Sequence, residues 1–232
     1  MQPKPLALKI LDIFTLIVLA ISTWLALVFA PTEIVMGEVQ RVFYFHIGTA
    51  WVGLVGFVIA AVTGAACLIT HDLKWDRFEL AAVEVSLVFF FITIVLGSIW
   101  ARPAWNTWWT WDPRLTAAAV TELFYAAYFM LRRGIEDPER RARFGAVYTL
   151  LGSISAPATF MAIRLFRTIH PVIFSGQSAA AQGGFSMTSD MKAAFFFALF
   201  AFTVIFIDLF WHRIRLGSLQ NTVEQMKLKA TM

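Results

Sequence analysis

Hydrophobic positions in this chain come in long unbroken runs. They cover residues 13–30, 42–70, 80–100, 114–131, 144–163 and 192–211, with polar and charged residues gathered between them. A helix needs roughly 20 mostly apolar residues to cross a bilayer, so the pattern predicts six transmembrane helices. Backbone polar groups in lipid must bond within their own segment or close into a barrel. Barrel strands alternate with period 2, and these runs are continuous. The predicted fold class is therefore an all-α integral membrane protein, a single domain over residues 1–232 with no repeat at a fixed period. The second run is long enough to project beyond the hydrocarbon. The first has a basic start in Lys4 and Lys9 and a small-residue end at Ala30, as a secretory leader does, but it is long for one and Pro31 follows at once. It reads as a retained helix.

Six spans put both termini on one side. The N-terminus, the second and fourth connections and the tail hold thirteen Lys and Arg, and the other side holds six. The positive-inside rule then predicts cytoplasmic termini. The polar tail 216–232 reads as a short surface helix or an irregular segment, and Ser175–Ser189 as a flexible outer loop.

Composition agrees with this pattern. Hydrophobic residues make up 59% of the 232 and charged residues 15%, against about 45–50% and about 25% in soluble domains. A soluble globular domain and a disordered chain are both excluded. The net charge of +4 reflects topology and gives no reason to expect nucleic acid as a partner; membrane lipid is one. A lone Cys67 excludes an internal disulfide. No GxxxxGK[ST] occurs, so no P-loop nucleotide hydrolysis is expected of this chain.

Topology sorts the four histidines: His46 and His170 fall on the outer side, His71 and His212 on the cytoplasmic side. The outer connection 100–114 is the most unusual stretch, with five of the nine tryptophans inside twelve residues. An interfacial aromatic belt explains one or two of them, not five. Trp105, Trp108, Trp109 and Asp112 are spaced i, i+3, i+4, i+7, which predicts a short helix presenting a flat apolar face to a large planar ligand. Asp112-Pro113 ahead of an apolar run is also a helix N-cap with proline at the first helical position. Elsewhere, Gly56, Ala60 and Gly64 form a small-residue stripe that predicts close helix packing. Pro157 with Ser153 and Ser155 predicts a kink in the fifth span. Asp208 and His212 read as a stabilising i, i+4 pair.

Trp105-Asn-Thr-Trp108-Trp109-Thr-Trp111-Asp112, flanked by outer histidines, resembles the tryptophan-rich haem-handling signature of cytochrome c biogenesis membrane proteins. With six spans and this length, the chain is most similar to the haem exporter protein C family. The likeness runs through Arg41-Val-Phe-Tyr-Phe-His46, the tryptophan segment as far as Arg114-Leu-Thr116, Glu122 and His170. Asn106 departs from it, standing where glycine is expected. The resemblance implies a protein of the bacterial cytoplasmic membrane that binds b-type haem transiently at its outer face. It implies delivery to a membrane-anchored haem chaperone, alongside an ATPase subunit, a second permease and a small single-span subunit. His46 and His170 match the family's two outer haem-ligand positions, and Trp105, Trp108, Trp109, Trp111 and Asp112 its haem-binding segment.

The chemistry of the residues fits that expectation. Haem iron takes one axial ligand on each face, and neutral imidazole suits both. Pro171 restricts His170 to extended backbone. The propionates call for arginine, which grips carboxylates bidentately. Arg114, just after the tryptophans, and Arg41, five residues before His46, rank first, and Arg102 is a third candidate. Glu122, about two turns into the fourth span, is a candidate for tuning the site from within the membrane. The expected role is a haem-transfer subunit rather than a stand-alone enzyme. The rival is a cytochrome c synthase of the related tryptophan-signature type, disfavoured because His71 and His212 lie at cytoplasmic edges instead of forming an intramembrane pair.

Overall fold

The computed structural model describes residues 3–34, 36–170 and 187–231, and within them the chain is mostly helical. Seven α-helices follow in order: α1 (Leu6–Trp24), α2 (Arg41–Thr70), α3 (Leu73–Trp105), α4 (Pro113–Arg133), α5 (Pro138–Gly152), α6 (Ser155–Leu165) and α7 (Ser189–Thr231). The last turn of α1 widens to π-helical geometry over Leu25–Phe29, and a 3₁₀ turn over Glu38–Gln40 leads into α2. Among the described residues, four stretches are long and apolar enough to cross a membrane: Leu6–Phe29, Glu38–Thr70, Leu73–Trp105 and Ser189–Lys227.

The helix ends follow from local chemistry. Asp72, Asp112 and Asp137 each cap a helix, their carboxylates accepting from the backbone N–H of Lys74, Arg114 and Arg140. Pro113 and Pro138 sit at first helical positions, where a missing N–H costs nothing. His71 closes α2 in the left-handed conformation at φ 55°. The predicted fifth span is two helices. Ser153 and Ser155 hydroxyls each donate to a carbonyl three residues back, at Leu150 and Gly152, both at 2.6 Å. Pro157 falls in the first turn of α6. The expected kink is thus a full break.

Two expected boundaries are corrected. The connection drawn at 71–79 is only His71 and Asp72, because the Asp72 cap starts α3 at Leu73. Glu79 and Asp76 are therefore buried helix residues. Asp76 receives Arg132 through two hydrogen bonds of 2.5 and 2.9 Å, and Tyr128 donates to Glu79 at 3.0 Å. The tail is a continuation of α7. Most of the segment Ser175–Ser189, and Pro171, lie outside the described residues; Ser189 itself opens α7.

α2 is the centre of the bundle and packs against α3, α5 and α7. Phe57 of α2 stacks on Tyr125 of α4, centroids 3.7 Å apart, in the largest core cluster. The small-residue stripe sits where helices come closest. A Cβ on Gly56 would stand 1.8 Å from the Ser86 hydroxyl and 2.7 Å from the Phe206 ring. One on Gly64 would stand 3.1 Å from Ala146 Cα. Gly56→Val is expected to lower stability by about 1–3 kcal/mol, the usual cost of overpacking a filled core. The midpoint of thermal denaturation in detergent checks it, with an unchanged midpoint counting against this packing.

Candidate haem site

His46 and His170 meet. His46 lies in the second turn of α2 and His170 in the non-helical segment after α6. Their ring centroids are 6.4 Å apart with planes inclined by 34°. Nδ1 of His46 lies 3.0 Å from the Thr93 carbonyl of α3. A carbonyl only accepts, so Nδ1 carries the proton and Nε2 keeps a lone pair. Gly97, one turn on from Thr93, leaves room for the ring: a Cβ there would be 3.0 Å from His46 Cε1.

The tryptophan segment is not the short helix its spacing predicts. Asn106 takes the left-handed conformation (φ 56°) and ends α3 at Trp105. Asparagine tolerates this region better than any residue but glycine, so it does the work of the expected glycine. Arg102 holds the turn, donating to the Asn106 carbonyl at 2.7 Å and its side-chain oxygen at 2.6 Å. Residues 107–112 run on without helical structure. The rings form two T-shaped pairs instead of one flat face: Trp100 with Trp105 at 5.1 Å, and Trp109 with Trp111 at 5.7 Å.

Together these residues line one cleft, open on one side. Its walls include His46, His170, Trp100, Trp105, Trp108, Trp109, Gly97, Arg114 and Thr159. Trp105 packs edge-on to His170 at 6.4 Å. Trp111 does not line the cleft; it is 76% exposed, and Trp108 at the rim is 59% exposed. Of the three arginines, only Arg114 is in the wall. Arg41 pairs with Glu38 and donates to the Ala26 and Ala30 carbonyls that end the first span. Arg102 is committed to Asn106. Glu122 is partly buried, one turn below the cleft residue Ala118, and one of its oxygens is buried with no hydrogen-bond partner.

Asp112 also stands outside the cleft lining, and its carboxylate is fully employed. Oδ1 accepts from Arg114 N–H at 3.0 Å and from the Thr168 hydroxyl at 2.7 Å; Oδ2 accepts from Ile169 N–H at 3.0 Å. The Thr168 oxygen in turn accepts from His170 N–H at 3.1 Å. One carboxylate thus starts α4 and fixes the segment that carries His170. Sequence reading missed Thr93, Gly97, Trp100 and Thr168, because backbone acceptors and ring clearances leave no residue-type signature. Only the crowding of Trp100 with the other tryptophans hinted at it.

The chain is 28% identical over 214 residues to "Heme exporter protein C" of Bradyrhizobium diazoefficiens, covering 92% of this chain and 80% of that protein. It is 26% identical over 206 residues to the protein of that name from Escherichia coli K12, covering 88% and 81%. The profile of the same family, described as heme exporter protein C, matches residues 4–229. A match spanning nearly every residue, cleft included, makes this chain a member of the heme exporter protein C family.

Proposed function

We propose that the chain holds haem at the outer face of the bacterial cytoplasmic membrane and passes it to a membrane-anchored haem chaperone during cytochrome c maturation. The observation that carries this is the His46–His170 pair. An imidazole nitrogen binds a transition metal at about 2 Å and the ring centre lies about 1 Å further out, so two rings sharing one metal have centroids roughly 6 Å apart. The 6.4 Å separation fits that arrangement. The lone pair on His46 Nε2 is the one available for iron, while Trp105, Trp108 and Trp109 supply apolar walls for a porphyrin. Arg114 is the propionate partner, because it is the one of the three candidate arginines that lines the cleft. Haem here is b-type cargo, bound reversibly. His46 is fixed by a helix and His170 by a short hydrogen-bonded segment, so release begins on the His170 side.

The topology is six crossings with both termini in the cytoplasm, α4 and the broken α5–α6 pair adding two to the four apolar spans. Lys4, His71, Arg132 and His212 then share the end away from the cleft. The exposed Trp108 and Trp111 face the chaperone, and the ATPase subunit, second permease and small single-span subunit complete the system. Mixing the haem-loaded protein in vesicles with the haem chaperone is expected to move haem onto the chaperone. Haem appearing on apocytochrome with no chaperone present would instead favour a synthase.

The two kinds of tryptophan should separate. Trp105→Ala, in the wall against His170, is expected to lower haem affinity roughly three- to tenfold, the worth of an aromatic contact of about 0.5–1.5 kcal/mol. Trp111→Ala should leave affinity unchanged. Haem titration followed by absorbance measures both, and equal losses would mean the two rings play the same part.

A further inference from the structure

We infer that Asp12, Asp208 and His212, brought together where α1 packs along α7 at the end of the bundle away from the cleft, form a site for one divalent transition-metal ion of the zinc class. Asp208 and His212 are four residues apart on α7 and share a face. Asp12 comes from α1, which is seated on α7 by contacts such as Phe14 against Phe200 at 6.4 Å. His212 Nε2 is 2.8 Å from Asp12 Oδ1 and 3.6 Å from Asp208 Oδ1. All three donor atoms lie within 4.8 Å of one another. A tetrahedral ion about 2.0–2.2 Å from its nitrogen and oxygen ligands holds a pair of them roughly 3.4 Å apart, between the 2.8 and 3.6 Å seen here. A small turn of Asp12, whose side chain is 31% exposed, closes the set. Two carboxylates and an imidazole are donors suited to zinc and its neighbours.

The second observation is Asp208 itself. It is only 7% exposed, and its Oδ1, turned toward His212, accepts no hydrogen bond. A buried carboxylate oxygen without a partner is costly. A proton on His212 Nε2 serves the Asp12 oxygen at 2.8 Å and leaves Asp208 bare, whereas a cation among the three atoms serves all of them. Lys4 reaches the same cluster, pairing with Asp12 Oδ2 and lying 3.4 Å from His212 Nε2. Its single charge leaves Asp208 unserved. It is a built-in competitor on a partly exposed side chain that swings out when the ion enters. Bound metal would tie the first crossing to the last.

The test uses the full chain, purified in detergent without a polyhistidine tag. His46→Ala, His170→Ala and His71→Gln form the background, so that no other imidazole competes. Helical circular dichroism and the thermal midpoint check each variant's folding. Co²⁺ titration is expected to give ligand-field absorption saturating at one equivalent and displaced by Zn²⁺. Asp208→Asn and His212→Gln should each weaken binding about tenfold or more, since even residues behind metal ligands cost 10–100-fold. Lys4→Gln, which removes the competitor without touching a ligand, should tighten it. No saturable binding, an affinity indifferent to Asp208→Asn, or no tightening in Lys4→Gln would overturn the site and leave an ammonium-held helix contact.

Discussion

Replacing either His46 or His170 with alanine is expected to cost the protein its six-coordinate haem. On the proposed arrangement each substitution removes one axial imidazole. The absorption spectrum should change from a low-spin pair-ligated form to a five-coordinate one, with affinity falling about tenfold or more, at least the penalty for losing a supporting residue behind a ligand. The double variant should retain only the apolar contribution of the tryptophan walls. Added imidazole should restore the low-spin spectrum of each single variant, because the vacated space in the cleft accepts the missing ring. His46 and His170 need not behave identically. His46 is oriented by the Thr93 carbonyl at 3.0 Å on a neighbouring helix, so its loss leaves a rigid hole. His170 rides on a short segment, and its loss leaves room for solvent. Two variants with unchanged haem spectra would remove the basis of the proposal.

Much of this was legible in the chain, for physical reasons. Runs of apolar residues report membrane helices because lipid leaves no alternative for the backbone, and α2 at Arg41–Thr70 follows its predicted run almost to the residue. Sorting the histidines by side set His46 with His170, and their rings lie 6.4 Å apart although 124 positions separate them in the sequence. Helix periodicity failed at the tryptophans. The i, i+3, i+4, i+7 spacing holds only if the backbone stays helical, and Asn106 at φ 56° stops it after Trp105. Charge also misled: Asp76 and Glu79 look like loop residues near Lys74 and Arg77, yet the Asp72 cap draws them into a helix where Arg132 and Tyr128 satisfy them. The arginine ranking rested on distance along the chain. It could not register that Arg41 is needed for the open carbonyls at the end of the first span, a demand set by the π-helical last turn.

Asp112 should be the most consequential residue outside the cleft lining. Asp112→Ala removes the cap of α4, worth about 1 kcal/mol, and also the acceptors for Thr168 and Ile169, bonds to a charged group worth about 1.5–3 kcal/mol each. The segment bearing His170 then loses its anchor to α4, and haem affinity is expected to fall about tenfold or more. Asp112→Asn keeps one oxygen for Arg114 and Thr168 but turns an N–H toward the Ile169 N–H, so it should fall between the two. What separates positioning from direct contact is non-additivity. If Asp112 acts through His170, adding Asp112→Ala to His170→Ala costs little further affinity, since the ring it held is already gone. If Asp112 instead gripped the porphyrin, the two losses would add in full. Thr168→Val, which deletes one leg of the same bridge and leaves the cap intact, should reproduce part of the Asp112→Ala loss in wild-type protein and none of it in His170→Ala. A full additive loss in that background would assign Asp112 to the ligand itself.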